Sequence, residues 1–155
     1  MDRYLLDTNI VVFMITGQDD EMSRDVHNII KDYENQLYIS TVSVMELIYL
    51  YRAGRIDQKR KRFKTALDLI QSIEDFLNII IKPFAKEHTK TLSKLEIANN
   101  HNDPFDHAII SHAITEKLIL VSSDTKFKHY TPQKLNTNLI SPPLKRFLKT
   151  FLRVD

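Results

Sequence analysis

The chain has 155 residues, 43% of them hydrophobic and 27% charged, which suits one globular domain and excludes the low-hydrophobicity, high-charge composition of a disordered protein. It has no cysteine, which excludes disulfides, thiolate metal sites and cysteine nucleophiles and suits a reducing compartment, the cytoplasm. The net charge is only +2, yet Arg52 to Lys64 holds seven Lys/Arg against one Asp, a net +6 that leaves −4 elsewhere. One surface is thereby suited to a polyanion and another to carboxylates gathered around a cation.

The apolar stretch from Tyr4 to Ile15 is interrupted by Asp7 and Asn9, which argues against a signal peptide, and no stretch is long enough to span a bilayer. Short apolar runs at Tyr4 to Leu6, Leu37 to Ile39, Asn78 to Ile81 and Leu118 to Val121 predict buried strands. Apolar residues three and four apart predict helices over Met22 to Tyr33, Val42 to Ala53, Gln58 to Glu74, Ala85 to Glu96 and Pro104 to Glu116. The alternation predicts an α/β fold, a central, mainly parallel sheet with helices on both faces. With only Gly17 and Gly54, turns needing positive φ are expected to be scarce and the chain helix-rich. Residues 1–135 read as the domain and 136–155 as a C-terminal extension. There Pro142 and Pro143 end the last extended stretch, and Leu144, Phe147, Leu148, Phe151 and Leu152 recur at helical spacing. This predicts a short amphipathic tail helix that packs on its own domain or docks a partner.

Four acids stand at places where chemistry is expected. Asp7 follows the first strand in Leu5-Leu6-Asp7-Thr8-Asn9, and Asp124 follows the last in Leu120-Val121-Ser122-Ser123-Asp124. Glu46 comes just after the second, within Ser40 to Leu47, and Asp106 lies in the first turn of the helix opened by Asp103-Pro104-Phe105. In open α/β sheets the ligand crevice lies outside the carboxyl ends of the strands, which accounts for three of the four but not for Asp106. Each also has an ordinary role open to it. Asp7 suits a helix cap, Ser43 with Glu46 and Asp103 with Asp106 have capping-box spacing, and Asp124 suits a turn. Taken together, carboxylates within a few ångströms repel one another unless a cation compensates them. Oxygen ligands without cysteine or paired-histidine spacing favour Mg²⁺ or Mn²⁺ over zinc. Such an ion activates water and neutralises charge on a phosphodiester, so no protein nucleophile is required.

The six histidines give less. His27, His88, His101 and His129 stand alone, and His107 and His112 are five apart, which is not zinc-ligand spacing, so surface or packing roles are expected. His107, directly after Asp106, is the one that can be imagined at a phosphate. In the basic run, Arg52, Arg55, Lys59, Arg60 and Arg62 read either as the solvated face of a helix or as contacts to an RNA backbone made without sequence specificity.

Leu5 to Asn9, Ser40 to Leu47, Asn102 to Ala113 and Ser123 to Phe127, in that order and spacing, closely resemble the PIN-domain family over residues 3 to about 130. Within it the chain looks most like the stand-alone bacterial VapC-type toxins of toxin–antitoxin pairs, which are Mg²⁺- or Mn²⁺-dependent endoribonucleases. The resemblance implies a metal-binding, catalytic quartet of Asp7, Glu46, Asp106 and Asp124. It makes Asp103 an auxiliary acid, Thr8, Asn9 and Ser123 residues that orient ligands, and an antitoxin and a second copy of the chain partners. His107 stands where relatives often carry arginine, and Asn136 to Asp155 extend beyond the shared core. An aspartyl phosphatase would want a second Asp where Asn9 stands. A non-catalytic RNA-binding domain would be expected to lack one of the four acids, and a housekeeping RNA-processing nuclease would use the same site.

Overall fold

The computed structural model describes residues 1–57 and 61–139. Five strands, β1 (Arg3–Leu6), β2 (Gln36–Ser40), β3 (Ile80–Lys82), β4 (Ile119–Ser122) and β5 (Asn136–Leu139), form one sheet in the order β3-β2-β1-β4-β5. All four pairings are parallel, with Leu5 opposite both Tyr38 and Leu120. The helices are α1 (Thr8–Thr16), α2 (Arg24–Lys31), α3 (Thr41–Arg52), α4 (Ala66–Asp75), α5 (Lys86–Lys94) and α6 (Pro104–Glu116). Two 3₁₀ segments, Asp19–Glu21 and Thr125–Gln133, complete the described elements. None of the described helices is long and apolar enough to cross a membrane.

The alternation of side chains along a strand divides the core in two. Tyr4, Leu6, Leu37, Ile39 and Val121 point to one face and pack with Ile10 and Phe13 of α1, Val26 of α2, Leu47 of α3 and Ile73 of α4. Leu5, Tyr38 and Leu120 point to the other and pack with Ile109, Ile110 and Ala113 of α6 and with Phe127 and Tyr130. Both faces are covered, as a parallel sheet requires, and the middles of the central strands are apolar for that reason.

Several expectations shift. The helix expected from Gln58 begins at Ala66, because Thr65 caps it in a capping box with Asp68, and Lys61 to Lys64 lie outside any helix. The basic run is therefore not one helical face. Scarcity of glycine does not spare the chain left-handed turns: Lys117 (φ 54°) and Lys134 (φ 72°) end α6 and the second 3₁₀ segment. Helix α1, capped by Asp7 and ended by Gly17 at φ 68°, was not among the helices read from periodicity, since its apolar residues run almost without a break. The edge strand β5 lies just past the boundary expected at residue 135, and the tail helix expected around Leu144 to Leu152 falls outside the described residues.

Candidate active site

The acids meet at the carboxyl edge of the sheet. Asp7 follows the central strand β1, and its backbone N–H continues the ladder by donating to Val121 of β4 at 2.9 Å. The Asp7 side chain is only 4% exposed. Its Oδ1 accepts the Thr8 N–H at 2.7 Å and its Oδ2 accepts the Ser122 hydroxyl at 2.7 Å. Asp124, half-buried after β4, donates its own N–H to the Ser122 hydroxyl oxygen at 3.0 Å and accepts the Lys126 N–H at 2.9 Å. The bond to Asp7 thus comes from Ser122, a residue the sequence did not single out. Ser122 is fully buried at the end of an apolar strand, where only a hydroxyl with partners is tolerated.

Glu46 comes from α3, which leaves the end of β2. The cap of α3 is Ser40, so Ser43 lies a turn inside the helix and forms no capping box with Glu46. The Glu46 carboxylate instead accepts the Thr8 hydroxyl at 2.8 Å. Asp103 does cap α6, accepting the Phe105 N–H at 2.9 Å with Pro104 at the first helical position. Asp106 does not fold back on that cap; its Oδ2 lies 2.9 Å from His101 Nε2. His101 was expected to be a surface or packing residue, and its place five residues before Asp106 gave no sign of this contact. His107 turns inward, its Nε2 donating to the His101 carbonyl at 2.6 Å. Asn9 is half-buried beside Thr8.

Burial and, after it, charge repulsion mark the cluster. Burial pushes the Asp7 carboxyl well above the usual range, and Asp106 and Glu46 add to the rise against the Ser122 and Thr8 hydrogen bonds. Glu46 is raised to about 7 by burial and by Asp106 and Asp103, despite the Thr8 hydroxyl. Asp106 is also raised, by burial first and then by Asp103 and Asp124, while His101 pulls it down. Among the described residues no lysine or arginine pairs with the four acids. Donor atoms of His101, Asp106 and Asp124 lie within 4.8 Å of one another. Two carboxylates and a histidine this close together could hold a metal ion.

Two histidines gather elsewhere. His88 and His112, for which surface or packing roles were expected, are buried with ring centroids 4.0 Å apart, and their donor atoms lie within 4.8 Å of one another and of Glu116. The Ala85 N–H donates to His88 Nδ1 at 2.7 Å, which leaves His88 Nε2 to donate to Glu116 at 3.2 Å. Burial, with His88 beside it, lowers His112 to about 4. Of the basic residues, Arg52 and Arg62 are exposed and Arg55 half-exposed, and Lys59 and Arg60 fall outside the described residues. Arg52 lies six residues past Glu46 on α3, roughly 9 Å along the helix axis.

Known proteins share this architecture. The tRNA(fMet)-specific endonuclease VapC of Shigella flexneri is 27% identical over 129 residues, which cover 81% of this chain and 89% of that protein. A chain in the structure of VapBC2 from Rickettsia felis, bound to a DNA fragment from their promoter, superposes with a TM-score of 0.63 at 26% identity. That match covers 90% of this chain and 99% of the other. The DNA-bound VapBC of Salmonella typhimurium shares the fold, with a TM-score of 0.57 at 17% identity over 90% of this chain and 98% of that one. The PIN domain family matches residues 4–131, which take in every acid of the cluster, and the chain belongs to that family.

Proposed function

We propose that this chain is a Mg²⁺- or Mn²⁺-dependent endoribonuclease and the toxin of a toxin–antitoxin pair. The observation that carries the reading is the buried Asp7 close to Glu46 and Asp106, three carboxyls raised first by burial and then by one another's charge, with Asp124 beside Asp106. Asp7, Glu46, Asp106 and Asp124 would hold the ion, which when bound supplies an activated water and neutralises the phosphodiester. The protein supplies position. Ser122 and the Thr8 N–H fix Asp7 on both oxygens, and the Thr8 hydroxyl fixes Glu46, so both carboxylates are set before an ion arrives. Asp103 raises the negative field without leaving its cap. The exposed Arg52, with Arg55 and Arg62, offers an RNA backbone a basic approach on the α3 side, and Lys59 and Arg60 belong to the same sequence run.

The similarity to a VapC endonuclease and to chains from VapBC complexes supports an antitoxin partner, a homodimer and residence in the cytoplasm, where RNA is met. A transfer RNA is the first substrate to try, since the Shigella relative is named for one. The test is cleavage of total RNA by purified, partner-free protein with Mg²⁺, with EDTA, and with the Asp7→Asn variant. Cleavage restricted to wild type with metal is expected. Undiminished cleavage in EDTA overturns the mechanism. Expression alone should arrest growth; an abundant, active and harmless protein in its own host would identify an RNA-processing nuclease instead.

A further inference from the structure

His101 is 1% exposed, and both ring nitrogens are engaged. Nδ1 lies 2.9 Å from the Tyr130 hydroxyl and Nε2 lies 2.9 Å from Asp106 Oδ2. The direction of these bonds follows from the far end. The Ala98 N–H donates to the Tyr130 hydroxyl oxygen at 3.2 Å, and Tyr130 is fully buried, so its own proton must find an acceptor nearby. Nδ1 of His101 is that acceptor. A neutral ring then carries its proton on Nε2 and aims it at Asp106, so every donor from Ala98 through Tyr130 and His101 to the carboxylate is satisfied in one direction. Packing holds the ring as well. Phe127 lies at 5.7 Å between centroids, Tyr130 at 5.4 Å and His107 at 5.0 Å, and the His107 ring grips the His101 carbonyl.

We infer that His101 is a positioning residue of the nuclease site, a neutral donor oriented by Tyr130 that fixes one oxygen of Asp106 and turns the other toward the ion. The inference rests on the proposed metal-dependent cleavage and deepens it. Of the four acids, Asp106 alone comes from a helix that precedes its strand. Among the described residues it has neither a backbone donor nor a strand hydroxyl of the kind that fix Asp7. A side chain from the preceding loop supplies the missing hold.

The test compares wild type with His101→Leu, His101→Gln and Tyr130→Phe, measuring single-turnover cleavage, KM for RNA, Mn²⁺ affinity by electron paramagnetic resonance and melting temperature in EDTA. Removing a carboxylate's oriented hydrogen-bond partner is expected to cost about 10- to 100-fold in kcat or in Mn²⁺ affinity, with KM for RNA little changed. The glutamine amide places an N–H near Nε2, so His101→Gln should recover most of the loss. Tyr130→Phe, which removes the group that fixes the tautomer, should fall between. A folded His101→Leu protein with wild-type kcat and Mn²⁺ affinity overturns the inference. So does a His101→Gln protein no better than His101→Leu at equal melting temperature, the mark of a merely structural role. Direct ¹⁴N coupling from His101 to bound Mn²⁺ overturns it too, since it would make the ring a ligand. Wild-type protein that neither binds Mn²⁺ nor cleaves RNA sinks the functional reading along with the inference, whereas the other failures leave that reading standing.

Discussion

The Ser122 hydroxyl donates to Asp7 Oδ2 at 2.7 Å while its oxygen accepts the Asp124 N–H at 3.0 Å, so one buried serine ties together the acids that follow two neighbouring strands. Ser122→Ala should therefore raise the Asp7 carboxyl further and release the Asp124 backbone. A loss of about 10- to 100-fold in cleavage is expected, as for other groups that orient metal-site carboxylates. Ser93→Ala, on the exposed side of α5, is the control and should stay near wild type. Equal rates for the two variants, measured by single turnover, would remove Ser122 from the site.

Asp103 and Asp106 share the start of α6 but differ in what they touch. Asparagine caps a helix about as well as aspartate, so Asp103→Asn should keep the fold and most of the activity. Asp106→Asn removes a negative oxygen from a crowded site and should abolish cleavage. In EDTA at neutral pH its melting temperature should equal or exceed that of wild type, because the ionised Asp106 opposes folding there. An active, destabilised Asp106→Asn protein would make that residue an ordinary helix-dipole acid.

The pH dependence of stability has a definite sign. Glu46 is raised from 4.5 to about 7, and Asp7 and Asp106 are raised as well. Groups whose folded-state pKa lies above the unfolded one contribute stability that is complete below the unfolded value and is lost as pH rises through the folded one. Metal-free protein should thus lose stability between about pH 4.5 and about pH 7, by roughly 3 kcal/mol from Glu46 alone as an order of magnitude. Glu46→Gln should flatten that slope in chemical denaturation at a series of pH values. Mn²⁺ should restore stability most at the alkaline end, where the acids are ionised. A flat profile in EDTA would mean that neither burial nor neighbouring charge raises these carboxyls.

Arg52 is exposed about two turns beyond Glu46 on α3. If it meets the RNA backbone, Arg52→Ala should weaken binding to RNAs of different sequence alike. It should also shrink the slope of log affinity against log salt by about 0.7 for one single-stranded phosphate contact. Filter binding of catalytically dead Asp7→Asn protein at several salt concentrations measures this, and an unchanged slope would place the RNA elsewhere.

Much of this protein is legible in one dimension because its causes are local. Apolar runs such as Leu5-Leu6 and Leu120-Val121 suit strands buried on both sides in a covered parallel sheet, and an acid shortly after such a strand falls at the sheet's carboxyl edge. Asp7 and Asp124 follow from that rule, and Pro104 after Asp103 marks the start of α6. The remainder depends on residues far apart in the chain. Asp106 reaches the edge because β4 runs parallel to β1, so that α6, which leads back into β4, must begin where the strands end. Ser122 and His101 look like any serine and any histidine until a neighbouring strand brings Asp7 to one and the second 3₁₀ segment brings Tyr130 to the other. Spacing along the chain reports propensity and periodicity, whereas a hydrogen bond across 115 residues is decided by sheet order and register, which packing of the whole core selects.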